Sequence, residues 1–371
     1  MRKIVIPLIS IFFILHLPSR QILSQTINQE TAVITGRVTD ASTGEPLPGA
    51  NVYIANSLMG AATDQDGKFT IYNVPLGTYQ LVASFIGYKP EIKRVSMDRN
   101  TTYTVDFLLT PEVLLLEEVI VTYERPKDWE KDLKTFQESF LGMSKNAEKC
   151  TLLNPEFLRF DRDEENDTFR AAADRILRIE NRALGYMVNV LLEEFEIKND
   201  IVKMDYTVKF EEIIPENDKE AENWEKARAE TYNGSLQHFL SSFAQGTYED
   251  EEFTVDKISI INERVLEVVR FNYDALISRG RNQYERILHF DGLLRVRNLK
   301  AGRDWSTSII YGRDVTKGVF REESFISLMR NRVTVNINGT LPEQYLVLVD
   351  GYWGTARIAD KLPFEYKPDL K

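Results

Sequence analysis

Thr63-Asp-Gln-Asp-Gly-Lys-Phe-Thr-Ile71 is the stretch that decides how the first hundred residues fold. Its two aspartates supply side-chain acceptors that bond back to the chain in an Asx turn, and Gly67 is free to take positive φ. Beyond the turn Phe69 and Ile71 return with period two, the spacing that puts side chains on one face of a strand. Short alternating runs and turn residues recur on both sides. Residues 33–39 form a strand candidate ended by Asp40, Ser42, Gly44 and Pro46. At 51–55, Val52 and Ile54 point one way and Asn51 and Tyr53 the other. Pro75 and Gly77 mark a turn before Tyr79, Leu81, Ala83 and Phe85, and further strands fall at 90–96 and 102–109. Six or seven short antiparallel strands in about 80 residues describe a small sandwich.

Gly36, Val38, Asp40, Gly44, Pro46-Leu-Pro-Gly-Ala50, Val52, Gly60, Thr63-Asp64, Asp66-Gly67, Phe69, Val74-Pro75, Gly77, Tyr79, Leu81 and Ile86-Gly-Tyr88 stand in this order. Together they resemble the pattern of the carboxypeptidase regulatory-like domain, a prealbumin-like (transthyretin-like) sandwich of seven strands. The resemblance implies a folding or interaction module without peptidase activity. Such modules accompany metallocarboxypeptidases and head many exported and outer-membrane proteins of Bacteroidota, TonB-dependent nutrient transporters among them.

A metallocarboxypeptidase needs two histidines and a carboxylate on zinc, with a glutamate as base. His16 lies in the apparent leader, which leaves His238 in Leu-Gln-His-Phe-Leu and His289 in Ile-Leu-His-Phe-Asp. Neither has a His-x-x-Glu or His-Glu-x-x-His context, so each is expected to be a packing residue. No Ser/His/Asp set, phosphate loop or dinucleotide fingerprint appears. No catalytic, cofactor-binding or metal-binding residue is therefore nominated, and no cofactor is expected. Asp161-Arg-Asp-Glu-Glu-Asn-Asp167 spaces carboxylates as a calcium loop does. Its sixth position, however, is Asn166 rather than glycine and its twelfth is Ala172 rather than glutamate, so a solvated hairpin tip is expected.

Arg2 and Lys3 precede an apolar run at 4–17 that is too short to span a bilayer. Residues 1–25 are expected to be a signal peptide, cut near Ser24 or Gln25. It carries Arg2, Lys3 and Arg20 and no acid, so its loss takes the formal charge from -11 to -14. Such a charge argues against a nucleic-acid partner. Cys150 is the only cysteine, so no intramolecular disulfide forms. No later stretch approaches the length of a transmembrane helix, and the mature chain is expected without one. The expected location is exported, in the periplasm or associated with the outer membrane.

Residues 111–165 are expected to hold a linker strand and a packing helix. Segment 118–122 resembles the short extended segment that follows the same sandwich in TonB-dependent transporters; a strand closing the sandwich or bridging to the next domain is the alternative. No aromatic-girdled alternating pattern follows that would build a barrel. From Pro126, Trp129, Leu133, Phe136, Phe140 and Leu141 share one helical stripe that Gly142 ends. Residues 166–371 are expected to form an α+β domain with a mostly antiparallel sheet. A hairpin of 186–197 and 201–213 turns at Lys198-Asn-Asp200. A helix runs from Asp218 to about Phe243 with an interruption at Gly234, and strands fall at 253–261, 264–271, 284–290, 293–299, 306–312, 332–338 and 344–349. The aromatic stretch 351–366 is either a closing strand and cap or a binding lip. Residues 136–195 resemble only uncharacterised exported proteins.

The expected fold is thus mainly β with some α: a seven-strand prealbumin-like sandwich at 31–110 and a β-rich α+β domain behind it. The expected function is that of a non-enzymatic cell-envelope protein, an interaction or spacer module plus a domain that binds an unknown protein or glycan partner. A carboxylate-dependent hydrolase and an accessory module of a TonB-dependent uptake system are the alternatives.

Overall fold

Asp64 accepts the backbone N–H groups of Asp66 at 2.9 Å and Lys68 at 2.8 Å, while Gly67 takes φ +75°, so the turn that organised the sequence also organises the sandwich. The computed structural model describes residues 30–112, 126–199, 201–261, 265–269, 272–299, 305–310, 313–320 and 323–368. The expected leader and segment 118–122 lie outside the described residues.

The first strands are β1 (Thr31–Asp40), β2 (Asn51–Ile54), β3 (Gly60–Ala62), β4 (Lys68–Pro75), β5 (Gly77–Ser84), β6 (Glu91–Met97), β7 (Thr102–Thr104) and β8 (Phe107–Leu109). One sheet has the order β4-β1-β7, with β8 also on β1, and the other has the order β3-β2-β5-β6. Ile34, Val38, Phe69, Ile71, Leu81 and Phe107 fill the space between them. Two points differ from the sequence reading. There are eight strands rather than seven, and β7 and β8 run parallel to β1 rather than antiparallel. The extra strand follows from one break. Val105 and Asp106 interrupt the last strand, and a Cβ on Gly36 opposite would lie 1.9 Å from the Val105 carbonyl oxygen, so only glycine fits there.

Helix α1 (Trp129–Leu141) then lies over a sheet of β9 (Cys150–Leu152), β10 (Leu158–Asp163), β11 (Thr168–Ala173), β12 (Leu177–Asn181), β13 (Tyr186–Lys198) and β14 (Ile201–Glu212). The order is β10-β11-β13-β12-β9, with β14 on the other edge of β13. The sheet crosses the expected division at 165–166, because Arg162 of β10 faces Phe169 of β11. The apolar stripe of α1 does what its spacing foretold: Phe136 meets the edge of Phe195 at 4.9 Å and stacks on Phe140 at 4.8 Å.

The expected long helix is two, α2 (Asp218–Tyr232) and α3 (Leu236–Gln245). Gly234 takes φ +80° between them, and the Ser235 hydroxyl caps α3 by accepting the His238 N–H at 3.1 Å. Trp224 of α2 lies on Gly185, where a Cβ would come within 2.3 Å of the indole.

The remaining strands are β15 (Phe253–Ile261), β16 (Val265–Val269), β17 (Ile277–Arg279), β18 (Glu285–Leu288), β19 (Leu293–Asn298), β20 (Trp305–Ile310), β21 (Arg313–Phe320), β22 (Glu323–Leu328), β23 (Val333–Asn336) and β24 (Val347–Gly351). They make a five-strand sheet β16-β15-β19-β22-β24, a three-strand sheet β17-β18-β23 and the pair β20-β21. Phe239 and Phe243 of α3 pack against Phe253, Val296, Ile326 and Trp353. The protein is mainly β, with antiparallel pairing throughout these later sheets.

Among the described residues the sandwich is joined to the rest chiefly at two places, besides the Arg94–Glu343 ion pair and the contacts of Phe364 and Glu365. At the start of β5 the Thr78 N–H donates to Asn336 Oδ1 at 3.0 Å, and Asn336 Nδ2 donates to the Thr78 carbonyl at 2.8 Å. The Thr78 hydroxyl donates to the buried Glu285 carboxylate, and Asn338 Nδ2 donates to the Tyr79 hydroxyl. In the second place, the turn after β2 enters the β9–β14 sheet. The Asn56 N–H donates to the Val208 carbonyl at 2.7 Å, and the Phe210 N–H donates to the Ser57 carbonyl at 2.9 Å. Tyr284, Ile337 and Phe364 complete the sandwich core from outside it.

Asn336→Ala removes both bonds to Thr78 and leaves a buried N–H and C=O unpaired. We expect it to cost about 2–4 kcal/mol in chemical denaturation. Wild-type protein should unfold in one transition; a separate early transition of the sandwich would show that the junction does not couple the two parts.

Candidate functional site

Helix α3 ends at Gly246 in left-handed conformation, and the chain folds back through a tight acidic turn before β15 begins. Within it the Glu251 N–H donates to the Thr247 carbonyl and the Phe253 N–H to the Tyr248 carbonyl, so the backbone fixes Tyr248, Glu249 and Glu252 at one end of the sheet. A short turn at Tyr273–Ala275 brings Tyr273 alongside. Its hydroxyl donates to the Phe243 carbonyl, and its ring stacks on Tyr248 with centroids 5.8 Å apart and planes 17° from parallel. Phe243 underlies both rings at 5.2 and 5.1 Å.

Tyr248, Glu249, Glu252 and Tyr273 line a depression of about 560 Å³ together with Phe253, Thr254, Val255, Asn272 and the exposed Leu299. Burial, followed by the Glu249 carboxylate, pushes the Tyr248 phenol up to about 12. Burial also raises Tyr273, against the opposing pull of Arg286. Both phenols are therefore neutral at physiological pH. The Tyr248 hydroxyl donates to Glu249 Oε1 at 3.3 Å. Thr254 Oγ1 is buried without a hydrogen-bond partner. Stacking and charge are what such a surface offers a ligand.

The histidines sit elsewhere. His238 is buried in α3, where Nδ1 accepts the Gly234 N–H at 3.2 Å, Nε2 lies 3.4 Å from Glu251, and the ring stacks on Tyr232. His289 follows β18 and donates its backbone N–H to the Leu276 carbonyl. Among the described residues no group of three or more His, Cys, Asp or Glu side chains is placed to hold a metal. The acidic run 161–167 forms the tip of the β10–β11 hairpin, where Asn166 bonds twice to Asp163 and holds that carboxyl below its usual range. Burial, reinforced by Asp360, pushes the Cys150 thiol up to about 12, so it is not a reactive thiolate. The closing aromatic stretch is packing: Trp353 donates its indole N–H to the Gly234 carbonyl at 2.8 Å, and Phe364 lies buried on Tyr79. No motif announced the depression, since its two tyrosines are separated by a whole hairpin.

Other perturbed carboxyls gather where the sandwich meets its neighbours. Glu193, at the bulge between β13 and β14, is raised by burial and then by Asp205. Asp205 is raised by burial and then by Glu194. Glu365 accepts the Leu58 N–H on Oε1 at 3.0 Å, and its Oε2 is buried without a partner, as is Asn56 Oδ1. Burial pushes the Glu365 carboxyl up to about 7.

Residues 34–121 match the family described as CarboxypepD_reg-like domain. The TonB-dependent receptor SusC of Bacteroides thetaiotaomicron is 36% identical over 88 residues, which are 24% of this chain and 8% of that protein. The TonB-dependent receptor P39 of Formosa agariphila is 32% identical over 109 residues, 29% of this chain and 10% of that protein. The chain thus spans about a tenth or less of the length of these relatives. Among solved structures, the group B streptococcus pilus 2b backbone protein is similar at 21% identity over 22% of this chain and 42% of that one, with a TM-score of 0.20. A shaft pilin, SpaA of Lactobacillus rhamnosus GG, is similar at 21% identity over 23% and 49%, with a TM-score of 0.19.

Glu365 gives the junction a pH dependence of defined sign. Its folded value of about 7 lies above its ordinary 4.5, so the fold favours the protonated form. Its contribution is complete below about pH 4.5 and is lost as the pH rises through about 7. We expect Glu365→Gln to leave stability unchanged at pH 4.5 and to raise it by about 1–3 kcal/mol at pH 8, read from urea midpoints at both pH values.

Proposed function

We propose that this is a non-enzymatic cell-envelope protein in which the CarboxypepD_reg-like sandwich braces a β-rich domain that binds a protein or glycan partner. The depression between Tyr248 and Tyr273 carries the reading. Its described lining residues include no serine, cysteine, histidine or lysine that would serve as nucleophile or base. Glu249 and Glu252 are solvent-exposed, whereas a carboxyl acting as an acid near neutral pH needs an apolar enclosure that holds its proton. The interlock of Thr78 with Asn336 suits a brace better than a free spacer. Similarity to two TonB-dependent receptors supports an exported protein of the periplasm or outer membrane, in the neighbourhood of an uptake system. Among the described residues no helix is long and apolar enough to cross a membrane.

A second reading is favoured by one observation: two carboxylates flank an aromatic depression, the outline of a carboxylate-dependent hydrolase. One set of variants separates the two. Leu299→Lys places a charged chain at the mouth and leaves the core untouched. In pull-downs from envelope extract we expect wild-type protein to retain a defined partner and Leu299→Lys to lose it at unchanged melting temperature; equal retention would count against the site. Turnover of envelope polysaccharide that disappears in Glu249→Gln would establish the hydrolase instead.

A further inference from the structure

We infer that the five-strand sheet carries a second interaction surface, formed by Met329, Arg330, Arg332, Tyr345 and Leu348, and that its partner is the anionic surface of a lipid bilayer. The surface shares no residue with the depression, so it stands whatever the depression binds. Strand β22 ends at Leu328, and the chain passes through an exposed bend to β23. The Met329 N–H donates to the Leu346 carbonyl at 2.9 Å, and one rung back Ser327 faces Leu348. Met329 and Leu348 are therefore diagonal neighbours, near enough for long side chains to touch. Leu346 turns into the core, and Tyr345 before it turns out. Met329 is 58% exposed, Leu348 51% and Tyr345 41%, so apolar surface lies in water at a cost that a covering partner would relieve.

Charge selects the partner. Arg330 and Arg332 flank the apolar side chains, both exposed, and among the described residues neither guanidinium has an ion pair or a hydrogen bond. The chain carries 57 acids, yet none stands between Glu323 and Glu343, and Glu343 is held by Arg94 at 3.1 Å. A local excess of positive charge thus sits on a molecule of formal charge -11. Salt screens the distant acids beyond about 8 Å, so an anionic surface meets the two arginines first. Guanidinium groups grip phosphate at two points, tyrosine settles at the boundary of water and lipid, and methionine and leucine enter the outer acyl region. A specific protein interface engages about 20–30 residues a side, far more than this surface offers. A lipid surface needs only a few inserted side chains beside basic ones, and the contact is peripheral and reversible.

The test is co-sedimentation of the full chain with vesicles of phosphatidylcholine alone and of phosphatidylcholine with a third of it replaced by phosphatidylglycerol. Arg330→Gln/Arg332→Gln removes the charge of the surface, Met329→Ser/Leu348→Ser removes apolar side chains, and Lys145→Gln/Lys219→Gln removes the same charge from exposed positions elsewhere. We expect wild-type protein to bind the anionic vesicles and not the neutral ones. Affinity should fall about tenfold or more in the arginine variant, about fivefold or more in the Met329/Leu348 variant and less than about twofold in the lysine variant. All six positions are exposed, so melting temperatures should match wild type. Equal loss in the lysine variant would reduce the effect to net charge and overturn the inference. Full binding by Met329→Ser/Leu348→Ser, equal binding to neutral vesicles, or no vesicle binding would overturn it too. Titration with blocked tetra-glutamate is the remaining arm: binding lost in Arg330→Gln/Arg332→Gln, with vesicles ignored, would give the surface to an acidic protein instead.

Discussion

The side-chain amide of Asn336 gives and receives one hydrogen bond with the backbone of Thr78, as a neighbouring strand would, and most of the arrangement follows from that exchange. It ends β5 against β23 and sets Ile337 into the sandwich core. The Ile337 carbonyl then accepts from the Ser241 hydroxyl at 2.9 Å and from Gln245 Nε2 at 3.0 Å, both on α3. Helix α3 in turn ends at Gly246, and the acidic turn with Tyr248 starts there. The position of the depression is thus inherited through four links from a contact on the opposite side of the helix. The hydrogen bonds among these links join buried or half-buried groups, which holds each element in register with the next.

Electrostatics at the same junctions work the other way. Glu193, Asp205 and Glu365 all lose water where the sandwich meets the β9–β14 sheet or the closing residues, and burial raises all three. A buried carboxyl with an unpaired oxygen costs free energy that a glutamine or leucine would not. The joint between the parts therefore carries a cost in buried carboxyls, although apolar cores lie on either side.

Local features were legible in the sequence because their causes are local. The Asp64–Gly67 turn, the stripe of α1, the β13–β14 hairpin with Asn199 at φ +48° and the bounds of β15 all come from a few adjacent residues. What escaped was set at a distance. The parallel pairing of β7 and β8 on β1 depends on residues more than sixty positions apart, and β17 has three residues, too few to show a period. The charged pattern of β21 likewise gave no strand signal. Asn336 looked like any polar residue near a turn, because nothing nearby reveals that its amide will replace a strand. The depression was invisible for the same reason: Tyr248 announced only an acidic turn, and Tyr273 lies across two strands from it.

Phe364 stacks on Tyr79 inside the sandwich core, and Glu365 bonds to Leu58 across 307 residues of chain. The sandwich is therefore closed by residues far along the chain from it. Contacts of such long range slow folding, because the entropy of closing the loop is lost before the contact repays it. During synthesis the sandwich waits, with an open flank at Tyr79, until the rest of the chain arrives to cover it. Completion of the sandwich thus depends on chain that follows it by some three hundred residues, and cutting the chain before Phe364 would leave an apolar face at Tyr79 exposed.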